Sequence, residues 1–234
     1  MGRETIERSP LISLVTRRNR LHPSGPKDLV ALYRQVRAAV VVGVDLIQIR
    51  ESDLPDRVLF DLVSWSVDIA QGTRSVILVN ERFDIALAAG AGGTHLRASS
   101  MPAGLVRPHL PPGFVLGRSV HDTGEAVRVA SAGGLDYVTM GTVFPSESHP
   151  GQGTCGVETL LAASRLVALP MLAIGGVTVD KLGALFGAGA VGVDAAAAGA
   201  DRPVRSRAGL PGSPGPSADP RDSPSRSRAS GPGA

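Results

Sequence analysis

Short β-branched apolar runs recur along the chain, each followed by a longer stretch in which apolar residues return every three or four positions. The runs are LISLVT from Leu11, LIQIR from Leu46, SVILVN from Ser75, GTHLR from Gly93, FVLGRSV from Phe114, YVTMG from Tyr137, MLAIGG from Met171 and AVGVDA from Ala190. Most are continuously apolar, the signature of strands buried on both faces and paired in parallel. The intervening segments, Lys27 to Val42, Asp56 to Ala70, Arg82 to Ala89, Gly124 to Ala132, Glu158 to Val167 and Val179 to Phe186, have amphipathic helical spacing. Repeated βα units with eight strands predict an α/β fold, a (β/α)8 TIM barrel. An AxxAGAxG pattern in IALAAGAGGTHL, VASAGGLDYVTM and LFGAGAVGVDA marks turns from helix through glycine into strand.

This pattern stops near Pro203, where Pro, Gly, Ser and Arg take over without apolar periodicity. The expected organisation is therefore a barrel domain over residues 1–202 and a disordered tail over 203–234. Nothing from Asp201 onward can supply the apolar face of a last helix, so the barrel is expected without a proper eighth helix. The tail has the composition of out-of-frame translation from GC-rich DNA. Resequencing the coding DNA tests that origin; a restored frame without an amphipathic helix after Val193 would refute it.

Composition narrows the function. Aromatic residues make up 3% of the chain, with Trp65 its one tryptophan, which argues against a stacking platform for single-stranded nucleic acid. The formal charge of +3 is accounted for by five Arg and two Asp within residues 203–234, leaving the body neutral. A basic field for nucleic acid is not expected. Cys155 is the single cysteine, which excludes an intrachain disulfide and a cysteine-based zinc site. The start, MGRETIERSP, has no apolar signal core, and no segment approaches ~18 uninterrupted apolar residues, so a soluble cytoplasmic protein without membrane partners is expected.

A TIM barrel binds its ligand at the C-terminal ends of its strands. Those ends carry Gln48 and Arg50, Asn80 and Glu81, His95, Ser119 and His121, then Ser146, Ser148 and His149, and finally Gly175 and Gly176. His95 lies within its strand and reads as a satisfied interior histidine, while His22 and His109 read as loop or surface residues. Gly175 and Gly176 precede Thr178 at an expected helix start, where backbone N–H groups could cradle phosphate. GQGTCG, Gly151 to Gly156, fits G-x-G-x-x-G but lies in a loop beyond Pro150 without the βαβ setting, so no dinucleotide cofactor is expected.

Taken together, IQIRESD, ILVNERFDIALAAGAGGTHL, GRSVHD, DYVTMGTVFPSESHPG and LAIGGVT resemble the thiamine-phosphate synthase/TenI family of thiamine biosynthesis, along roughly residues 10–193. In the synthase branch the resemblance implies joining a hydroxymethylpyrimidine diphosphate to a thiazole phosphate, with Mg²⁺ holding the leaving pyrophosphate. Gln48, Arg50 and Asn80 match that pattern, and Ser146 and Ser148 keep its hydroxyl-rich loop. The departures fall on charge: Ser52 and His149 stand for lysines, Glu81 for the first magnesium aspartate, Ser100 for the second, and Asp194 for a serine of the phosphate site.

In the TenI branch the resemblance implies a proton shift that makes a thiazole carboxylate phosphate aromatic, with no metal. His121 matches the proton-transferring histidine, and an imidazole of ordinary pKa ~6.5 can give and take a proton near neutrality. Because the departures weaken a diphosphate site, the leading expectation is a TenI-like thiazole tautomerase with His121 as acid and base. Gln48, Arg50, Asn80, Ser119, Ser146, Ser148 and His149 would then bind substrate, and Gly175 and Gly176 phosphate. The alternative is the synthase, with Glu81 on Mg²⁺; a catalytically degraded, ligand-binding barrel is the third reading. The expected partner is a small phosphorylated thiazole, and homo-oligomerisation is one way for a chain short of a helix to persist.

Overall fold

The computed structural model describes residues 2–6, 9–18, 29–145 and 153–196. Eight parallel strands close into one barrel in chain order: β1 Leu11–Val15, β2 Leu46–Ile49, β3 Val76–Asn80, β4 Gly93–Leu96, β5 Val115–Val120, β6 Tyr137–Gly141, β7 Met171–Ile174 and β8 Gly192–Ala196. Closure runs through β1 and β8, with Leu11 opposite Gly192 and Ser13 opposite Asp194. All eight runs read from the sequence are strands. The expectations of a disordered tail and a missing eighth helix fall outside the described residues.

Helices α2 Leu29–Val41, α3 Asp56–Ala70, α4 Phe83–Ala88, α6 Thr123–Ala132 and α7 Gly156–Leu166 fill the expected segments, after α1 Gly2–Ile6 and around α5 Ala103–Val106. The segment after β7 fills its expected span but starts as a 3-10 turn, Val179–Lys181, before the short helix α8 Leu182–Gly187. Among the described residues no helix is long and apolar enough to cross a membrane.

Each helix buries one stripe on the sheet. Leu32 and Val36 of α2, and Leu59, Leu62, Val63 and Ala70 of α3, pack against Ile47, Ile49, Ile77 and Val79, the outward residues of β2 and β3. A matching layer around Leu116, Val138, Met140, Leu160 and Ala173 covers the second half. Both strand faces are buried, so the strands are largely apolar, with polar residues at a minority of positions.

Inside the barrel, Leu11, Leu46, Val76, Leu78, Val115, Tyr137 and Leu172 form the floor, and Ile6 of α1 packs with them. Two aspartates with little-exposed side chains brace this end. Asp45, just before β2, accepts the Ile12 amide at 2.9 Å and pairs with Arg74. Asp136, just before β6, accepts the Leu116 amide at 2.8 Å and the Arg107 guanidinium at 2.5 Å. Above the floor the buried positions turn polar at Ser13, Gln48, Asn80, His95, Thr139 and Asp194.

Candidate active site at the C-terminal mouth of the barrel

Strand register puts the polar tier together, because residues two apart share a face. Val15 lies opposite Gln48, Asn80 opposite His95, and Ser119 opposite Thr139. Gln48 Nε2 donates to Asn80 Oδ1 at 2.8 Å. That bond fixes the Asn80 amide and leaves its Nδ2 without a partner among the described residues, although the side chain is buried.

His95 bridges two hydroxyls, with Nδ1 2.8 Å from the Tyr137 oxygen and Nε2 2.9 Å from Ser119 Oγ. Room for the Tyr137 ring comes from Gly117, where a Cβ would lie 2.1 Å from the ring. Burial first, then the charges of Arg50 and Arg118, push the His95 pKa down to about 3. The imidazole is therefore neutral at physiological pH, with one donor and one acceptor nitrogen, both used. It is the satisfied interior histidine expected, and its task is to hold Ser119.

Arg50 leaves β2 at the rim. Its amide donates to Thr16 Oγ1 at 2.9 Å, and that hydroxyl donates to Glu51 Oε1 at 3.0 Å, which also accepts the Arg18 amide at 2.9 Å. The loops after β1 and β2 are thus stitched together. The Arg50 guanidinium has no hydrogen bond or ion pair with a described residue; burial first, then the nearby charges of Arg17 and Arg97, lower its pKa. Arg17 follows Val15 by two positions, Arg50 follows Gln48 by two, and Arg97 follows His95 by two, so all three continue inward-facing rows.

Glu81 follows Asn80 in a left-handed backbone conformation, φ 61°, rare for a residue with a side chain. Three contacts hold it there: its amide donates to the His95 carbonyl at 2.9 Å, Oε1 accepts the Ser100 hydroxyl, and Oε2 pairs with Arg97 at 2.8 Å. Arg118 anchors the loop carrying Ser100, donating to the carbonyls of Ala98, Ser100 and Met101 at 2.6, 2.6 and 2.8 Å. These residues do not fit the Mg²⁺ that the family resemblance implies. One carboxylate oxygen is spent on a guanidinium and the other on a hydroxyl, while Mg²⁺ requires free oxygen ligands in near-octahedral array. Among the described residues no group of three His, Cys, Asp or Glu side chains could hold a metal.

Across the mouth, His121 leaves β5 exposed at the start of α6. Asp122 caps α6 by accepting the Glu125 amide at 2.7 Å, and Glu125 reaches back to accept the His121 amide at 2.8 Å. The HDTGE segment is thereby a near-reciprocal cap that sets the histidine backbone. His121 Nδ1 lies 2.5 Å from the Gly141 carbonyl, which makes Nδ1 the donor and leaves Nε2 as the acceptor of the neutral ring.

Gly175 and Gly176 follow β7 with φ of 99° and 60°. A Cβ at Gly175 would meet the Thr142 side chain at 2.4 Å, and one at Gly176 the Pro145 carbonyl at 2.4 Å. The glycines thus let the β7 turn lie against the loop after β6. Lys181 Nζ donates to the Gly176 carbonyl at 2.8 Å and sits 4.5 Å from the Phe144 ring centre, tying the same two loops. Thr178 precedes the 3-10 turn and makes no side-chain cap bond.

Asp194 is buried inside the barrel, opposite Ser13 and Ile174. Burial raises its pKa to about 6, against the opposing effect of the Ser13 and Thr139 hydroxyls. It is a core carboxyl below the mouth.

The structure thus gathers Gln48, Arg50, Asn80, Glu81 and Ser119 at one side of the mouth, with His121 at the β5 end and Gly175 and Gly176 at the β7 end. Ser146, Ser148 and His149 lie outside the described residues, as does His22; His109 is exposed at the end of a 3-10 turn. Cys155 is half-buried and burial raises its thiol pKa, which suits a structural residue. Arg17, Arg97, Tyr137 and Lys181 are not singled out by strand-end reading. The signal for the first three is parity with Val15, His95 and Thr139; Lys181 carries none, because its contact depends on how two loops meet.

Similarity to known proteins agrees with this geometry. The family model described as thiamine monophosphate synthase matches residues 21–198. The thiamine-phosphate synthase of Methanoculleus marisnigri is 42% identical over 161 residues, 67% of this chain and 74% of that protein. That of Roseiflexus castenholzii is 36% identical over 171 residues, 73% of each chain. Among solved structures, thiamine phosphate pyrophosphorylase from Pyrococcus furiosus superposes with a TM-score of 0.68 at 26% identity, covering 83% of this chain and 87% of that one. With its closed barrel, its polar tier and these matches, the chain belongs to the thiamine monophosphate synthase family.

Proposed function

We propose that the chain joins a hydroxymethylpyrimidine diphosphate to a thiazole phosphate, forming thiamine phosphate and releasing pyrophosphate. The observation that carries this reading is the two-sided mouth. Gln48, Asn80 and Ser119 offer fixed amide and hydroxyl groups to a heteroaromatic ring beside the Arg50 guanidinium, which has no partner among the described residues. The Gly175–Gly176 turn lies at the β7 end, packed against the loop after β6, and its backbone is the candidate for the second anion. Coupling needs an anion site for each of its two phosphorylated substrates.

In this reaction the bond between the pyrimidine methylene carbon and the diphosphate oxygen breaks with its electron pair going to oxygen. The thiazole nitrogen supplies the pair for the new C–N bond. Negative charge grows on the departing diphosphate, and fixed cations and donors at that end lower the barrier. Similarity to thiamine-phosphate synthases favours coupling over the isomerisation suggested by the altered loop residues. Arg50→Ala should lower the coupling rate about a hundredfold, the scale of removing one preorganised charge-stabilising donor. An Arg50→Ala enzyme coupling at the wild-type rate would contradict the assignment.

A second reading, thiazole tautomerisation, is favoured by one observation: the Gly141 carbonyl fixes the His121 tautomer with Nε2 available as base. His121→Ala should then lose isomerisation of a thiazole carboxylate phosphate. Equal rates in wild type and variant would remove the catalytic histidine.

A further inference from the structure

We infer that the diphosphate end of this site works without a metal ion, and that the guanidinium groups of Arg17, Arg50 and Arg97 hold the anion directly. The identity of the anion rests on the coupling reading above; the site itself rests on three separate observations.

First, these arginines extend the inward rows of β1, β2 and β4, and Arg50 has no partner among the described residues. Second, Asn80 Nδ2 is a buried donor with no acceptor among the described residues, on a residue only 8% exposed. An unsatisfied buried donor is costly, and one beside an arginine cluster is met by an anionic acceptor. Third, the carboxylates nearby are already committed. Glu81 is held by Arg97 and Ser100, and Glu51 by Thr16 and the Arg18 amide.

Guanidinium suits the role that a divalent ion plays elsewhere, because its planar fork can bond two phosphate oxygens at once and keeps its charge. Arg97 also stands beside Glu81, where a metal bound by that carboxylate would have to sit. Its cation substitutes for the metal and blocks it. Ser52, where the family pattern has lysine, removes one further cation that Arg17 replaces from the neighbouring strand end.

Isothermal titration of the full chain with inorganic pyrophosphate, in EDTA and in Mg²⁺, tests this directly. Wild type should bind at least as tightly in EDTA as in Mg²⁺, which complexes pyrophosphate in solution, and Arg97→Ala should bind about tenfold more weakly in EDTA, the loss of one charge-assisted contact. Glu81→Gln should bind as tightly as wild type or more so, because it removes a competing carboxylate. Binding that needs Mg²⁺, or that Glu81→Gln abolishes, would overturn the inference, as would an unchanged Arg97→Ala. Pyrophosphate binding with these signatures but no coupling activity would count against the proposed reaction and leave the anion site standing.

Discussion

Asp194 and His95 are buried titratable groups in one barrel, and burial acts on them in opposite senses because it disfavours whichever form is charged. Asp194 has its pKa raised to about 6, so the stability it allows is present below the ordinary carboxylate range and lost as pH rises through about 6. His95 is depressed to about 3, so folding gains stability as pH rises through the ordinary imidazole range and loses it as pH falls towards 3. The two nearly oppose each other between pH ~4 and ~6. Asp194→Asn removes one side of this balance. Between pH ~4 and ~7 its stability should rise relative to wild type by up to ~3 kcal/mol, from a shift of about two pK units. Urea midpoints of both proteins at the two pH values measure this, and parallel profiles would show that Asp194 ionises freely. His95→Phe should cost about 1–3 kcal/mol of stability, because it strands the Tyr137 and Ser119 hydroxyls. It should also loosen Ser119 and raise KM more than it lowers kcat.

At the scale of elements, the two halves of the barrel repeat one device. VDLIQ and LDYVT each place an aspartate just before a strand, where it accepts a neighbouring strand's amide and an arginine. These lie at the N-terminal end, where residues serve stability and leave the chemistry to the opposite face. Asp45→Ala or Asp136→Ala should each cost about 3 kcal/mol, the scale of breaking a buried pair. Pyrophosphate affinity should hold; a loss of affinity larger than the loss of fold would contradict this division of labour. The strands are legible in the sequence because burial on both faces makes them largely apolar, and α3 is legible to its ends because fifteen residues repeat the stripe more than four times. α1 and α5, at five and four residues, are too short for any period to register. Packing creates them, α1 by burying Ile6 under the barrel floor.

For the whole molecule, what could be read from the sequence depended on the kind of interaction. Gln48, Arg50, Asn80 and Ser119 stand at strand ends, where the (β/α)8 rule already directs attention. The role of Arg97 was only half visible, through its parity with His95. It concerns which cation meets the Glu81 carboxylate, a matter of loop geometry after β4 that no spacing encodes. Asp194 was likewise misleading as a letter: opposite phosphate it would repel, but inside the barrel between Ser13 and Thr139 it is a core carboxyl. The assembled picture is a barrel with a dry floor, a rigid polar tier, and cations gathered at one side of its mouth. Its central claim is that two phosphorylated substrates meet there. The most direct measurement is product analysis after incubating the purified chain with hydroxymethylpyrimidine diphosphate and thiazole phosphate, in EDTA and in Mg²⁺. Equal amounts of thiamine phosphate and pyrophosphate, formed in both conditions, are the predicted result. Formation of neither product in either condition, by a chain that still isomerises a thiazole carboxylate phosphate, would contradict the account.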